Sequence, residues 1–208
     1  GNAILEIYYS DFDVLEKDYN SPLTQADLNA HHIIIDGLRK ITPSIPIISE
    51  ETPLQSFEKR KTWQQYWIID PLDGTKEFVK KNGEFTVNIA LIDNHKPVLG
   101  IVYVPVSMKT YIGCEGFGAQ IIDPDVGKKI IRVTEKPNQK LRIVGSRSHQ
   151  GETLKKFLSQ IEEYELKPMG SSLKFCLIAE GLADIYPRYG PTSEWDTAAA
   201  QAVVEQAG

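Results

Sequence analysis

The chain has 208 residues, 41% of them hydrophobic and 25% charged, which suits one large domain or two small ones with a real core. Its formal net charge of −5 argues against a partner that is a nucleic-acid polymer, and leaves room for a small phosphorylated substrate held by a few local cations or by metal ions. No apolar run is long enough to span a membrane and no basic–apolar–small signal segment opens the chain, so the expected compartment is cytoplasmic, although a start at Gly1-Asn2 leaves a lost leader open.

In chain order, residues 3–9 read as the end of an amphipathic helix and 11–23 as a polar loop closing on Asn20-Ser21-Pro22. Residues 24–41 form a good helix, with Leu28, Ile34, Ile35, Leu38 and Ile41 on one stripe, and Pro43 and Pro46 end it. Ile47-Ile48 begin a short strand that runs into Ser49-Glu50-Glu51, and 52–62 is a charged loop. Tyr66-Trp67-Ile68-Ile69 is an apolar strand that Asp70-Pro71 should stop, and 75–81 suits a short helix. Residues 86–92 and 98–104 pair as a hairpin around Asp93-Asn94-His95-Lys96, and 109–113, 119–122 and 129–133 add short strands.

After residue 140 the pattern changes to a strand at 141–144, a helix at 151–161, a strand at 164–168, a helix at 172–180, a strand at 183–187 and an Ala-rich helix from 196. Strands alternating with helices predict an α/β layer. The expectation is an α/β (α+β) chain in two halves, 1–137 with an antiparallel-rich sheet and 138–208 with the α/β layer, joined near 135–140. The last helix ends abruptly at Ala207-Gly208, so either the native chain continues or its end is disordered, and the first is expected. Cys114 and Cys176 form no CxxC and show no zinc-like spacing to the histidines, so both should be reduced thiols.

The segment Trp67-Ile68-Ile69-Asp70-Pro71-Leu72-Asp73-Gly74-Thr75 ends an apolar strand in two carboxylates, then a glycine and a hydroxyl. Gly74 lets the backbone approach a ligand closely, and Thr75 can open a helix whose N–H groups face an anion. Such oxygen ligands suit a hard cation, Mg²⁺. Taken alone, Asp-Pro and Asp-Gly are ordinary turn dipeptides, Glu50 and Glu51 are plain loop acids, and Asp196 is a plain N-cap. Three acidic strand or helix ends in one chain move the balance toward a metal site.

The pair Glu50-Glu51, the run Asp70-Pro71-Leu72-Asp73-Gly74-Thr75 and the run Trp195-Asp196-Thr197-Ala198-Ala199 resemble, in order and separation, the three signatures of the inositol monophosphatase-like superfamily. The resemblance implies a layered α-β-α-β-α sandwich and a Mg²⁺-dependent phosphomonoesterase with two or three ions. It places Glu50, Asp70 and the Leu72 carbonyl on the first metal, and Asp70, Asp73 and Asp196 on the second. Asp27 matches the acid that helps Thr75 orient the attacking water, Glu50 belongs to the same catalytic group, and Glu51 is left as a loop or supporting acid. Without the resemblance, Asp27 reads as an exposed first-turn acid.

Within the superfamily, Lys76-Glu77-Phe78, Gly170-Ser171-Ser172-Leu173-Lys174-Phe175-Cys176 and Tyr186-Pro187-Arg188 resemble the 3'(2'),5'-bisphosphate nucleotidase branch. The substrate then implied is a small nucleotide, 3'-phosphoadenosine 5'-phosphate, cleaved to AMP and phosphate. By that resemblance Ser171, Lys174 and Arg188 bind the 5'-phosphate, His149 lines the adenosine pocket, and Gly74, Thr75, Lys76 and Asp196 contact substrate. On residue type alone Lys174 is a solvated helix face, Arg188 a loop cation and His149 a surface histidine. The rival readings are an inositol or sugar phosphatase with the same metal site, and a metal- and anion-binding module without turnover. Oligomeric state is not legible.

Overall fold

A seven-stranded sheet organises the molecule, and helices cover both of its faces because its strands alternate apolar residues to either side. The structure, a computed structural model, describes residues 1–12, 14–17, 21–136, 140–146 and 151–208, with the backbone alone at 15–17 and 21–23. In chain order its elements are α1 (Asn2–Tyr8), β1 (Leu15–Lys17), β2 (Ser21–Leu23), α2 (Gln25–Ile41), β3 (Ile47–Ser49), α3 (Phe57–Arg60), β4 (Gln65–Asp73), α4 (Thr75–Val79), β5 (Thr86–Asp93), β6 (Lys96–Val104), β7 (Lys109–Cys114), β8 (Gly118–Asp123), β9 (Gly127–Ile130), β10 (Leu141–Ser146), α5 (Glu152–Leu158), β11 (Tyr164–Met169), α6 (Leu173–Ala179) and α7 (Ala198–Ala207).

Strands β3 to β9 lie in sequence order, with β3 parallel to β4 and every later pair antiparallel. On β4, Trp67 and Ile69 pack with Leu38 of α2, whereas Ile68 packs on the opposite face in the cluster that contains Val203 of α7. α1 and α2 cover the first face, and α6 and α7 the second. Beyond α6 lies the parallel pair β10–β11, to which α5 adds Leu154 and Leu158 against Ile143. The layers therefore run α-β-α-β-α.

α2 begins at Thr24, whose hydroxyl accepts from the Ala26 N–H, while the Asp27 carboxylate accepts from the Thr24 N–H at 2.8 Å. This capping box buries Asp27 completely, so it is not an exposed first-turn acid. α7 sits directly on the sheet backbone. A Cβ at Gly100 would come within 2.0 Å of the Ala199 carbonyl oxygen, and one at Gly113 within 2.5 Å of the Ala202 carbonyl oxygen. These two glycines are paired across β6 and β7, so the small-residue contact locks the helix whose preceding turn carries Asp196.

Several sequence expectations are corrected. The polar stretch 11–23 contains the antiparallel pair β1–β2, and the charged stretch 52–62 contains the helical turn α3. Pro71 does not stop β4: lacking an N–H it breaks the ladder after Asp70↔Asn88, and pairing resumes at Asp73↔Thr86. Residues 183–187 supply a single bridge, Ile185↔Ile143, instead of a strand, because only Ile185 meets β10 in register. α7 starts at Ala198, two residues later than expected, since 195–197 form a turn. The strand expected at 129–133 is β9, shifted to 127–130, and Ile41 at the end of the α2 stripe is exposed.

Gly113→Ala is expected to destabilise the protein by about 1–3 kcal/mol, because the added methyl meets backbone that cannot yield. Gly37→Ala, inside α2 with open space around it, should stabilise by about 0.5–1 kcal/mol. Thermal unfolding of the two variants checks both signs.

Candidate metal centre and substrate cavity

The interruption of β4 at Pro71 is what sets the acids. Asp70 is the last paired residue before it, and Asp73 the first after it. Asp70, Asp73 and Asp196 each bring a carboxylate oxygen to within 4.8 Å of the others. Glu50 follows β3, the parallel neighbour of β4, and its N–H donates to the Ile69 carbonyl at 3.3 Å. That register carries the Glu50 carboxyl to hydrogen-bonding reach of Asp70. Glu51 stands outside the group, with its N–H on the Ser49 hydroxyl at 3.3 Å.

Four carboxyl groups brought this close repel one another. Burial, then the charges of Glu50, Asp73 and Asp196, hold the Asp70 carboxyl well above the usual carboxylate range. Burial pushes Asp73 up to about 6, with Lys174 and hydrogen bonds from Ser172 pulling the other way and Asp196 adding repulsion. Asp73 Oδ2 accepts from the Ser172 N–H at 2.6 Å and from the Ser172 hydroxyl at 2.9 Å. Asp196 Oδ2 accepts from the Thr192 hydroxyl and the Ser193 N–H, both at 2.9 Å. The donor set is carboxylate with a nearby carbonyl and, among the described residues, no thiolate or imidazole in the group, which is the chemistry of a hard cation.

Beside the acids, the Thr75 hydroxyl lies 3.4 Å from Asp27 Oδ1 and 3.3 Å from the Leu72 carbonyl oxygen. Gly74 caps α4 at φ 89°, and a Cβ there would come within 3.0 Å of both the Glu84 carbonyl oxygen and the Ser171 Cβ. Glycine is thus required on two counts, and it lets the α4 N-terminus close against residues 170–171.

The acids open into a cavity of about 540 Å³. Asp73, Thr75, Lys76, Ser171, Lys174, Arg188 and Asp196 all line it. Lys174 is not a solvated helix face: it is 6% exposed, donates to the Ser171 carbonyl and lies 5.3 Å from the centre of the Tyr186 ring. Burial lowers its pKa, and Asp73 opposes that shift. Arg188 is exposed and donates to the Pro191 carbonyl at 2.7 Å. His149 lies outside the described residues.

Sequence reasoning missed the groups that hold the acids: Ser172 and Asn88 around Asp73, and Thr192 and Ser193 around Asp196. The only signal was position, Ser172 beside the quoted Ser171 and the Thr192-Ser193 pair just before Trp195-Asp196. A second cavity of about 550 Å³ adjoins the first and shares Ser146, Tyr186 and Arg188 with it.

The chain resembles known proteins over its whole length. It is 52% identical over 211 residues to the 3'(2'),5'-bisphosphate nucleotidase CysQ of Escherichia coli strain K12, covering 100% of this chain and 83% of that protein. A crystal structure of CysQ from Bacteroides thetaiotaomicron, a bacterial member of the inositol monophosphatase family, is 40% identical and superimposes with a TM-score of 0.87, covering 100% of this chain and 82% of the other. A crystal structure of an IMPase/NADP phosphatase complexed with Mg²⁺ and phosphate shares the fold at a TM-score of 0.81 and 21% identity, covering 99% of this chain and 76% of the other. The inositol monophosphatase family model matches residues 1–208, and the chain belongs to that family.

Proposed function

We propose that this protein is a Mg²⁺-dependent 3'(2'),5'-bisphosphate nucleotidase that removes the 3'-phosphate of 3'-phosphoadenosine 5'-phosphate, giving AMP and phosphate. The observation that carries this reading is one cavity lined both by Asp73 and Asp196 of the carboxylate cluster and by Lys174 and Arg188. Acids that can hold a cation and side chains that can hold an anion, together in one cavity, suit a substrate with two phosphates, one reacting and one remote. The adjoining cavity with Tyr186 and Tyr189 supplies room for a nucleoside. The likeness to CysQ over the whole chain supports the same substrate. Unpaired Cys114 and Cys176 support a reducing, cytoplasmic setting.

The residues present fit Mg²⁺, since gathering Glu50, Asp73 and Asp196 around the buried Asp70 is unfavourable without positive charge among them. In this reading Glu50, Asp70 and the Leu72 carbonyl would hold one ion, and Asp70, Asp73 and Asp196 would hold another. When bound, Mg²⁺ supplies charge that stabilises the phosphoryl and leaving oxygens and lowers the pKa of water. Asp27, whose Oδ2 is held by Thr24, accepts the Thr75 proton through Oδ1. The Thr75 oxygen is then left to accept from the attacking water and aim it. The P–O3' bond breaks as the bond from water to phosphorus forms, and the leaving oxygen takes up the proton that the water gives up. Residues 1–137 bring most of the cation ligands, and 138–208 bring Ser171, Lys174, Arg188 and Asp196.

Because Asp70 and Asp73 bind protons more readily in the folded than in the unfolded chain, the metal-free protein should lose stability as pH rises from the ordinary carboxylate range through about 6. Mg²⁺ should therefore raise Tm more at pH 7.5 than at pH 5. An equal rise at both would contradict the coupling. Asp70→Asn should raise the Tm of the metal-free protein at pH 7.5, because it removes a repelling charge at nearly constant volume. It should also abolish phosphate release and the Mg²⁺-induced rise, and a folded variant that keeps wild-type turnover would show that Asp70 holds no metal.

Arg188→Met should lower kcat/KM on 3'-phosphoadenosine 5'-phosphate by about ten- to a hundredfold, the value of one charge-assisted hydrogen bond, and leave 3'-AMP hydrolysis nearly unchanged. Parallel assays on inositol phosphate, which lacks the remote phosphate, separate the nucleotidase from a broader phosphatase.

A further inference from the structure

A chain of hydrogen bonds runs in one direction from the substrate cavity to Asp73. The Ser171 hydroxyl donates to Thr86 Oγ1 at 3.2 Å, and the Thr86 hydroxyl donates to Asn88 Oδ1 at 3.1 Å. Asn88 Nδ2 donates to Ser172 Oγ at 2.9 Å, and the Ser172 hydroxyl donates to Asp73 Oδ2 at 2.9 Å. Thr86, Asn88 and Ser172 are each no more than 1% exposed.

The direction follows from the inventory of protons. An amide oxygen only accepts, so the Thr86 proton fixes which way the Asn88 amide points and aims its NH₂ at Ser172. Ser172 has one hydroxyl proton and two acceptors near it, Asp73 Oδ2 at 2.9 Å and the Asp196 carbonyl at 3.2 Å. The charged, nearer carboxylate is the stronger partner. The Ser172 N–H reaches the same oxygen at 2.6 Å, and Asn88 Nδ2 approaches it at 3.4 Å. Three donors thus converge on Oδ2 and leave the other oxygen, Oδ1, for a cation. Chains of this kind polarise one another and hold their members in one arrangement.

We propose that Thr86, Asn88 and Ser172 are positioning residues for Asp73, setting which of its oxygens meets Mg²⁺ and tying that choice to Ser171 in the substrate cavity. The inference rests on the reading of Asp73 as a Mg²⁺ ligand. No substrate or metal needs to touch Thr86 or Asn88 for either to act.

The test uses Thr86→Val, nearly isosteric and three hydrogen bonds removed from Asp73 along the chain, and Ser172→Ala. In each, the Mg²⁺ concentration that gives half the maximal rise in Tm is measured on the substrate-free protein, together with kcat at saturating Mg²⁺. Partners that orient metal ligands are worth about ten- to a hundredfold in metal affinity. The midpoint is therefore expected to rise by about tenfold or more in Ser172→Ala. A smaller rise in the same direction is expected in Thr86→Val, with kcat near that of the wild type in both once Mg²⁺ saturates. A lower metal-free Tm with an unchanged Mg²⁺ midpoint would make the chain merely structural and overturn the proposal. If Ser172→Ala fails to fold, the Thr86→Val midpoint decides alone. A wild-type protein whose Tm ignores Mg²⁺ would overturn the reading of Asp73 itself, and this proposal with it.

Discussion

Carboxylates that repel one another gather inside a protein only when the surrounding backbone leaves them nowhere else to go. Here that constraint comes from three sources. The register of β3 on β4 delivers Glu50 beside Asp70. The break in the β4 ladder at Pro71 returns Asp73 to the same end of the sheet. The seating of α7 on Gly100 and Gly113 brings Asp196 in from the far end of the chain. Each is set by ordinary packing or hydrogen bonding far larger in extent than the site. The fold thereby holds a cluster of acids that, in the reading proposed, a cation would stabilise.

The substrate side follows the same logic with the opposite sign. Lys174 is buried against Tyr186 and feels Asp73 across the cavity, and Arg188 stands at the exposed rim. Charges of both signs line one cavity, so in the reading proposed a net-negative protein could take a polyanion, because the local field is what the ligand meets.

Much of this was legible in the sequence for identifiable reasons. The apolar run Tyr66-Trp67-Ile68-Ile69 and the apolar-rich stretches 86–92 and 98–104 announce strands, and the turn at Asn94-His95 adopts the left-handed backbone a tight hairpin demands. The acids were visible because their three motifs are local in sequence, and the resemblance of those motifs joined them across 146 positions from Glu50 to Asp196. What stayed hidden depended on contacts between distant residues. Nothing local in Asn88 or Thr86 says that they meet Ser172 and Ser171, and on residue type alone Lys174 reads as solvated because α6 carries no sign that Tyr186 will cover it. The bulge at Pro71 was misread as a strand end, since a missing N–H tells where the ladder breaks but not whether it resumes. Residue 185 likewise bridges to β10 at one point, which a run of apolar residues cannot distinguish from a full strand.

The central claim, that buried carboxyl groups here exchange shared protons for a cation, is tested most directly by calorimetric titration of Mg²⁺ into the substrate-free protein in buffers of differing ionisation enthalpy. Near pH 6 the account predicts a release of about one proton or more as Mg²⁺ binds, falling as the pH is raised. Binding heats that are the same in every buffer at pH 6 would contradict it.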